Sequence, residues 1–338
     1  MNMQTQEPNR VAHPIEFATI KPLKLMHAVV YDDYGEASVL RTGVVEVPRR
    51  LPGQLLIHVE ASSVNPIDYR IRRGEIKRLL LFGFPRVPGY DVAGQVVECD
   101  ADAPFKPGDR VMAYLDHLRG GACAQFAVCP MNVAAKIPDS MPMREAAAIP
   151  LAGTTALQSL RDHGQIAPGK RVLINGASGG VGSFAVQIAK HFEAHVTAVA
   201  SGSNEEFCIQ LGADRFYDYL TVDYTKTGER WDLIFDVAGK SGYLDARSVL
   251  TEGGRYVSTE PDAKGMFMTL VTWPLSKSGT VMLAKPSAAD LHELVNLYER
   301  GKLRVTIDSQ FSMNQAADAH RRVEQGVDRG KVVLVNRF

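Results

Sequence analysis

Residues 174–182 read INGASGGVG and join two stretches of different character. The stretch before them, 171–174, is short and apolar, whereas the stretch after them, 181–192, has apolar residues at helical spacing. Where a strand runs through glycines into a helix, the backbone can approach a phosphate and the helix N-terminus faces the negative charge. The pattern predicts a dinucleotide-phosphate loop, and its candidate binding residues are Ala177, Ser178, Gly179, Gly180 and Val181.

The sequence around this loop matters, because a glycine-rich turn alone is a weak signal. Here Ala177 even replaces the first glycine of the G-x-G-x-x-G pattern. A second apolar segment, 195–200, follows the helix at the distance of a β-α-β crossover, and further short apolar runs lie at 233–237 and 255–258. This series predicts a doubly wound parallel sheet of the Rossmann type, in a chain of the α/β class.

The turn after the second strand indicates which dinucleotide is bound. NAD is usually held there by a carboxylate, about 20 positions after the glycines. This chain has Ser201, Ser203 and Asn204 instead. Because hydroxyls and an amide can donate to a 2′-phosphate that a carboxylate would repel, the sequence favours NADPH. The turn contains no lysine or arginine, and it also fits a polar turn in which Asn204 caps a helix opened by Glu205 and Glu206.

Length and composition exclude several classes of protein. A chain of 338 residues exceeds what one core usually fills, and two domains are expected. Its 38 basic and 38 acidic residues give no global attraction to nucleic acid or membranes. Four cysteines are too few for a disulfide framework, which predicts free thiols and a cytoplasmic protein. No apolar run is long enough for a membrane span, and residues 1–23 are expected to form a flexible tail.

The residue pattern in the first half of the chain differs from that around the glycine loop. Residues 24–150 contain short β-prone runs separated by proline and glycine, which predicts a β-rich domain. The runs lie at 26–31, 54–61, 92–98, 110–113 and 125–129. A helical pattern at 143–160 leads into the dinucleotide domain, a second helix is predicted at 288–300, and a last apolar run occupies 330–336.

Six short motifs in this chain together resemble those of a known protein family. They are SSVNPID at 62–68, VPGYDVAG at 87–94, KPGDRV at 106–111, LGAD at 211–214, GGRYV at 253–257 and GKVVL at 330–334. In this order they resemble the zinc-free branch of the medium-chain dehydrogenase/reductase superfamily, which includes quinone oxidoreductases and alkenal reductases. The resemblance implies a GroES-like domain at 24–150 that residues 286–338 complete, a Rossmann domain at 151–285, and NADPH in the cleft between them.

Two related families fit less well. The zinc-dependent alcohol dehydrogenases have Gly-His-Glu where this chain has Gly89, Tyr90 and Asp91, a cysteine near Asn65, and another cysteine where Leu151 and Ala152 stand. An amide, a phenol and an aliphatic side chain cannot build a zinc site, so no metal is predicted. The short-chain dehydrogenases use a Tyr-x-x-x-Lys pair, which Tyr298 and Lys302 match formally. Gly301 would break the helix that this pair needs.

The chemistry that remains is hydride transfer from NADPH to a quinone or to an α,β-unsaturated carbonyl such as an enone, an enal or an enoyl thioester. Asn65 is a candidate donor to the substrate carbonyl or the ribose, or else a turn residue before a proline. Tyr90 is expected to point into the cleft and donate to the oxyanion, or to fill the space of the lost metal. Arg70 is the third candidate catalytic residue; it stands where relatives of the quinone-oxidoreductase type often have tyrosine and others lysine, which leaves the proton donor at that position open. Asp68 is interpreted as a structural residue at a helix start.

The resemblance implies further cofactor contacts. Thr155 and Leu283 are expected at the nicotinamide end, and Tyr219 against the adenosine phosphate. Val237, at the end of a predicted strand, joins the same set. The substrate pocket would also depend on a loop at 266–274, and relatives suggest a homodimer through an edge at 280–284.

A basic segment allows three interpretations. It contains Arg70, Arg72, Arg73, Lys77 and Arg78. A solvated surface is the ordinary one. The others are a rim for an anionic substrate such as an acyl-CoA, and a nucleic-acid patch on a non-catalytic, crystallin-like NADPH-binding protein. The predicted partner is a small molecule, and no nucleic acid is expected.

Overall fold

The computed structural model describes residues 24–80, 83–115, 119–260, 263–272 and 275–338. The predicted tail at 1–23 lies outside these residues, as does the end of the predicted loop at 266–274. The strands in chain order are β1 (Leu25–Val30), β2 (Arg41–Glu46), β3 (Gln54–Val64), β4 (Asp91–Glu98), β5 (Arg110–Tyr114), β6 (Phe126–Pro130), β7 (Ala134–Lys136), β8 (Arg171–Asn175), β9 (His195–Ala200), β10 (Arg215–Asp218), β11 (Trp231–Asp236), β12 (Leu250–Ser258), β13 (Ser278–Val281), β14 (Ile307–Ser312) and β15 (Lys331–Val335). The helices are α1 (Pro66–Arg73), α2 (Met143–Ala148), α3 (Pro150–Gln158), α4 (Gly180–His191), α5 (Glu205–Gln210), α6 (Tyr243–Ala246), α7 (Ala263–Thr272), α8 (Ala288–Glu299) and α9 (Ala316–Glu324).

The second half of the chain forms a parallel sheet. Over the described residues its strand order is β10-β9-β8-β11-β12-β13, and every neighbouring pair is parallel. Numbered from its first strand, this is the 3-2-1-4-5-6 order of the Rossmann fold, which confirms the predicted fold class. The order reverses between β8 and β11, and ligands of such sheets bind beyond the carboxyl ends of the strands at that point.

The first half forms a β-rich sheet that needs the end of the chain. Its described strands run in the order β14-β15-β3-β4-β5-β7, with β6 also paired to β3. Strand β15 pairs antiparallel with β3, so that Val332 lies opposite Val64 and Leu334 opposite Ser62. The C-terminal run therefore belongs to the GroES-like sheet, as the resemblance implied. The domain boundaries at 150 and 285 stay predictions.

Helix α4 is held firmly under the glycine loop. Its Phe184, Ala185 and Ile188 are buried in one cluster with Ile174 of β8 and Phe235 of β11. Burying each large apolar side chain contributes about 1.5–3 kcal/mol. The packing fixes the helix axis and therefore the direction in which its N-terminus points.

Some predicted elements differ from the structure. The helix predicted at 143–160 is divided into α2 and α3, because Pro150 cannot continue the hydrogen bonding of the preceding turn. The loop predicted at 266–274 is mostly helix α7. Its sequence is apolar at nearly every position and so has no helical period to recognise. Strands β2 and β14 and helix α9 were not predicted from the sequence.

Candidate cofactor and substrate site

The glycine loop between β8 and α4 has the shape of a phosphate cradle. A Cβ on Gly182 would lie 2.0 Å from the Gly176 carbonyl oxygen, so only glycine fits there. At Gly179 the nearest atom to such a Cβ is 3.6 Å away, which leaves the backbone open on that side. The first N–H groups of a helix have no partner within the helix. The loop thus fits a dinucleotide phosphate, with Gly179, Gly180 and Val181 half-buried at the helix start and the Ala177 and Ser178 side chains buried.

Three other predicted cofactor residues lie beyond strands of the same sheet. Val237 follows β11 and its N–H donates to the Asn175 carbonyl, 2.9 Å away. Tyr219 follows β10, is 58% exposed, and donates its N–H to the carbonyl of Ala200. Leu283 comes just after β13 and is 61% exposed. All three are at the carboxyl edge that carries the glycine loop.

Thr155 lies elsewhere, in the middle of α3 rather than at a helix start. It is buried, and its hydroxyl donates to the Leu151 carbonyl at 2.7 Å. A threonine bonded in this way to the preceding turn has its proton engaged, and only the oxygen lone pairs remain for a ligand.

The 201–204 turn is arranged differently from the capped helix that the sequence allowed. Asn204 precedes α5, but its side chain does not cap the helix. Its amide nitrogen donates to the Ser201 hydroxyl at 2.8 Å and to the Asp328 carboxylate at 2.9 Å. Its amide oxygen accepts from Nε of Arg329 at 2.6 Å. The capping interpretation of Asn204 is therefore wrong, because these three partners occupy the side chain.

Two charged residues near this turn were missed by the sequence analysis. Arg329 is 125 positions from Asn204 in the chain, so no local pattern connects them. Asp218 ends β10, and its Oδ2 lies 2.7 Å from where a Cβ on Gly202 would stand. The Rossmann pattern predicts a carboxylate at the end of β9, whereas Asp218 lies at the end of the neighbouring strand β10.

Asp91 is the centre of a buried polar network. It is 0% exposed and accepts hydrogen bonds from the Ser63 hydroxyl, the Asn65 amide nitrogen at 2.7 Å and the Leu151 backbone N–H at 2.7 Å. The ammonium group of Lys331 lies 3.8 Å from its Oδ2. A buried carboxylate with these partners is both hydrogen-bonded and charge-balanced.

Lys331 connects this network to the glycine loop. Its ammonium group donates to the amide oxygen of Asn65, and burial lowers its pKa. Its Cδ lies 2.8 Å from where a Cβ on Gly180 would stand, so the lysine stem crosses the start of α4. Both ends of the Asn65 amide are thus engaged, by Asp91 and by Lys331. Lys331 belongs to no local catalytic pattern, and Asp91, which stands where the zinc enzymes have the glutamate of Gly-His-Glu, was not proposed as a site residue from the sequence.

Asp68 has the structural role predicted for it. One carboxylate oxygen accepts from the Asn65 N–H at 2.6 Å in a capping box, and the other accepts from the Gly89 N–H at 3.1 Å. Burial, together with the nearby charge of Asp91, raises the pKa of Asp68 to about 7. The carboxylate holds the start of α1 against the segment that carries Tyr90.

Tyr90 is 3% exposed and packs with Ile71, Leu80 and Tyr114. It also lines a cavity of about 290 Å³. Other residues of the lining are Tyr31, Asp68, Ile71, Arg86 and Arg119. The ring is therefore at the boundary between the core and a space that is large enough for a small ligand.

Arg70 forms a bidentate ion pair with Glu260, and both N–O distances are 2.9 Å. The pair joins α1 of the GroES-like part to the segment after β12 of the Rossmann sheet. Two other members of the basic segment are also paired: Arg72 is buried against Glu324, and Arg73 bonds to the same carboxylate at 2.7 Å. Three of its five cations therefore have acidic partners, so the segment is not a continuous basic patch.

The residues that the resemblance places at or near the zinc-ligand positions of the metal-dependent branch are Asn65, Tyr90 and Leu151, and the Leu151 backbone N–H donates to Asp91. Across the part of the chain that the structure describes, no three His, Cys, Asp or Glu residues are grouped as metal ligands would be. The donor set does not suit Zn²⁺.

The Tyr298 and Lys302 pair does not form a catalytic dyad. Helix α8 ends at Glu299, and Gly301 has a φ of +65°. The Tyr298 hydroxyl donates to Glu145 instead, at 2.8 Å. Gly301 thus breaks the helix as predicted.

No helix among the described residues is both long and apolar enough to cross a bilayer.

Comparisons with known proteins agree with this arrangement. An alcohol dehydrogenase GroES-like domain matches residues 51–139, and a family described as zinc-binding dehydrogenase matches residues 211–334. The chloroplast envelope quinone oxidoreductase homolog of Arabidopsis thaliana is 37% identical, over 92% of this chain and 98% of its own length. The human mitochondrial NAD(P)H oxidoreductase RTN4IP1 is 34% identical, over 92% of this chain and 89% of its own. The structure of the quinone oxidoreductase from Coxiella burnetii superposes with a TM-score of 0.86 at 31% identity, covering 93% of this chain and 100% of that one.

These relatives overturn one prediction. The cytoplasmic location inferred from the cysteine count is wrong, because the Arabidopsis and human relatives just described are a chloroplast envelope and a mitochondrial protein. The structure does confirm that all four cysteines are free. Free thiols indicate that the fold does not depend on disulfides, and this property does not distinguish one reducing compartment from another.

Proposed function

We propose that this chain, which belongs to the medium-chain dehydrogenase/reductase superfamily and to its quinone-oxidoreductase-like members, reduces a quinone or an α,β-unsaturated carbonyl with NADPH and without a metal. The chain is an oxidoreductase by this membership. The choice of NADPH, the substrate class and the metal-free mechanism are the proposal.

One observation carries the proposal: the two consecutive residues Gly330 and Lys331 bond to the glycine loop and to Asn65, respectively. The N–H of Gly330 donates to the Ser178 carbonyl at 2.9 Å, and the next residue, Lys331, bonds to Asn65. The phosphate cradle and the Asn65–Tyr90 side are therefore fixed relative to each other. Holding two reactants in a fixed geometry is a large part of the rate enhancement in a transfer reaction.

The groups that would hold the cofactor are the backbone N–H groups of Gly180 and Val181 in the glycine loop, where the Gly179 N–H donates to the Gly176 carbonyl instead, and the polar turn at 201–204. The cofactor, when bound, would supply the hydride. The hydroxyls of Ser201 and Ser203 are hydrogen-bonded to each other at 3.2 Å, so that one of them donates to the other and the second keeps its proton for a phosphate oxygen. They support NADPH, while the nearby carboxylate of Asp218 opposes it.

On the substrate side, Tyr90 would donate its hydroxyl proton in a hydrogen bond to the oxygen that gains negative charge. Asn65 would have a structural role at the side of the site, because both ends of its amide are hydrogen-bonded, the nitrogen to Asp91 and the oxygen to Lys331. Arg70 stays protonated at neutral pH and is held by Glu260, so its proposed task is to join the two sides of the cleft and not to donate a proton.

Two further interpretations from the sequence concern nucleic-acid binding and a homodimer. The pairing of Arg70, Arg72 and Arg73 removes the main support for a non-catalytic nucleic-acid-binding protein. A homodimer through 280–284 stays a prediction, and β13 is the outer strand of the parallel sheet as that arrangement needs.

Steady-state oxidation of NADPH with a panel of quinones, enones and enals tests the proposal. We expect turnover with members of at least one class, and none without an acceptor. If NADPH binds but no quinone, enone or enal is reduced, the proposed reaction is wrong.

A further inference from the structure

We propose that Arg329, which belongs to the C-terminal segment that completes the GroES-like sheet, binds the 2′-phosphate of NADPH and sets the preference over NADH. This inference rests on the proposed function, because it names the residue that selects the cofactor. It supplies the cation that the 201–204 turn itself lacks.

The contacts place the Arg329 guanidinium on that turn. Nε donates to the amide oxygen of Asn204 at 2.6 Å, and Nη2 donates to the carbonyl of Ser203 at 2.6 Å. The amide nitrogen of Asn204 in turn donates to the hydroxyl of Ser201 at 2.8 Å. Two hydroxyls and a guanidinium therefore converge on one short segment of backbone.

The guanidinium remains able to bind a ligand. An arginine has five N–H donors, and among the described residues Nη1 donates no hydrogen bond. The side chain is 44% exposed. Its charged carbon lies 5.5 Å from the ring centroid of Phe207, which orients the plane without consuming a donor. A planar fork with free donors matches the oxygens of a phosphate.

Two carboxylates lie near this cation, and each also accepts a hydrogen bond from another group. Asp328 lies 3.9 Å from Nε, and its other oxygen is engaged by Asn204. Asp218 stands on the Gly202 side of the turn and accepts the Leu220 N–H at 2.9 Å. Without Arg329, the turn would present these two carboxylates to a 2′-phosphate and repel it. Arg329 therefore supplies the positive charge with which this turn could hold a 2′-phosphate beside these carboxylates.

The position of Arg329 is fixed by its neighbour in the chain. Gly330 pairs with Gly179 in a parallel bridge and donates its N–H to the Ser178 carbonyl. The bend at 328–330 thus contacts both the glycine loop and the 201–204 turn. One short segment from the GroES-like part of the chain reaches both places where a dinucleotide carries phosphate.

The test measures binding of nucleotides that have no nicotinamide. Dissociation constants of 2′,5′-ADP and of 5′-AMP are determined by calorimetry for the parent, for Arg329→Gln and for Arg329→Lys. Arg321→Gln serves as the matched control, because it removes the same charge from α9 and pairs only with Asp318 on its own helix among the described residues. Since neither ligand can transfer hydride, a failure of the proposed reaction would not affect this result.

We expect the parent to bind 2′,5′-ADP more tightly than 5′-AMP. Arg329→Gln should weaken 2′,5′-ADP by about 10- to 100-fold and leave 5′-AMP within about twofold. Arg329→Lys should recover part of the loss, and its binding should weaken with salt as that of the parent does. Equal weakening of both nucleotides by Arg329→Gln, no weakening of either, or a parent that prefers 5′-AMP would each overturn the inference.

Discussion

Tyr90 combines a packing role and a polar group in one side chain. Its ring is buried beside Ile71 and Leu80, while the residue lines the cavity. Tyr90→Phe keeps the ring and removes the hydroxyl. If that hydroxyl stabilises the oxyanion, kcat should fall by roughly ten- to a thousandfold with NADPH affinity little changed. Stopped-flow and steady-state kinetics measure both quantities.

Tyr114→Phe is the control for this variant, because Tyr114 is equally buried in the same cluster. It should retain the parent kcat. A Tyr90→Phe enzyme within about twofold of the parent would mean that the ring only packs, and Tyr90 would then no longer be a candidate catalytic residue.

Ser201 tests the electrostatics of cofactor choice. Ser201→Asp puts a carboxylate beside the 2′-phosphate, and like charges repel at this distance. We expect the ratio of kcat/KM for NADPH over NADH to fall at least about tenfold. Ser248→Asp, at an exposed serine in the short 3-10 helix that precedes β12, should leave the ratio unchanged. A parent that uses both cofactors equally would contradict the preference itself.

His320 makes stability depend on pH. It is 0% exposed on α9, and neither ring nitrogen has a hydrogen-bond partner among the described residues. Burial, with the nearby charge of Arg72, lowers its pKa to about 3, whereas an unfolded histidine has a pKa of about 6.5. Below pH 6.5 the unfolded chain therefore binds a proton that the folded chain does not, and stability falls as the pH falls.

Thermal unfolding between pH 7 and pH 4 measures this effect. His320→Leu should be as stable as the parent or more stable at pH 7, since it removes unpaired buried nitrogens. It should also lose less stability on acidification, by up to about 1.4 kcal/mol per pH unit below pH 6. His191→Leu, at an exposed histidine, should keep the acid sensitivity of the parent. Parallel curves for the parent and His320→Leu would refute the assignment.

At the scale of elements, two glycines in the loop between β8 and α4 have different roles. Gly182 is needed for the loop to fold, whereas Gly179 is expected to matter for binding of the cofactor. Gly182→Ala should prevent the turn from forming, because its Cβ would overlap the Gly176 carbonyl. Gly179→Ala has room and an ordinary φ of −71°, so it should fold with nearly the parent Tm. Its methyl group would stand where the backbone approaches a phosphate, and we expect the Kd for NADPH to rise at least about tenfold.

Gly83→Ala is the control, since a Cβ there meets nothing within 4 Å and φ is not positive. Both Tm and Kd should match the parent. Unchanged NADPH affinity in a folded Gly179→Ala protein would show that the cradle does not bind the cofactor phosphates.

At the scale of the whole molecule, the residues that the resemblance places at or near the zinc-ligand positions of the metal-dependent enzymes come from distant parts of the chain. Asn65 precedes α1, Tyr90 precedes β4 and Leu151 lies in α3. Because their side chains do not suit zinc, purified protein should contain no stoichiometric zinc, and a chelator should not reduce its activity. Elemental analysis that found about one zinc per chain would overturn the metal-free mechanism.

Local sequence determined much of this protein. Apolar periodicity and the glycines predicted β8, α4 and β9 nearly to the residue, because strand and helix periods and the demand for glycine in a tight turn are local properties. The motifs around Asn65, Tyr90 and Gly330 predicted the GroES-like sheet and its completion by the end of the chain. The mostly apolar segment 266–272 within α7 has no such period, and the sequence predicted a loop there.

Only the tertiary structure showed which distant groups meet. Arg329 reaches the 201–204 turn, Lys331 reaches Asn65 and Gly180, and Glu260 holds Arg70. Each contact joins residues far apart in the chain, and no spacing rule encodes such a distance. The physical reason is that a buried or half-buried charge needs a partner nearby in space, and the crossing of the chain between the two sheets decides which residue supplies it.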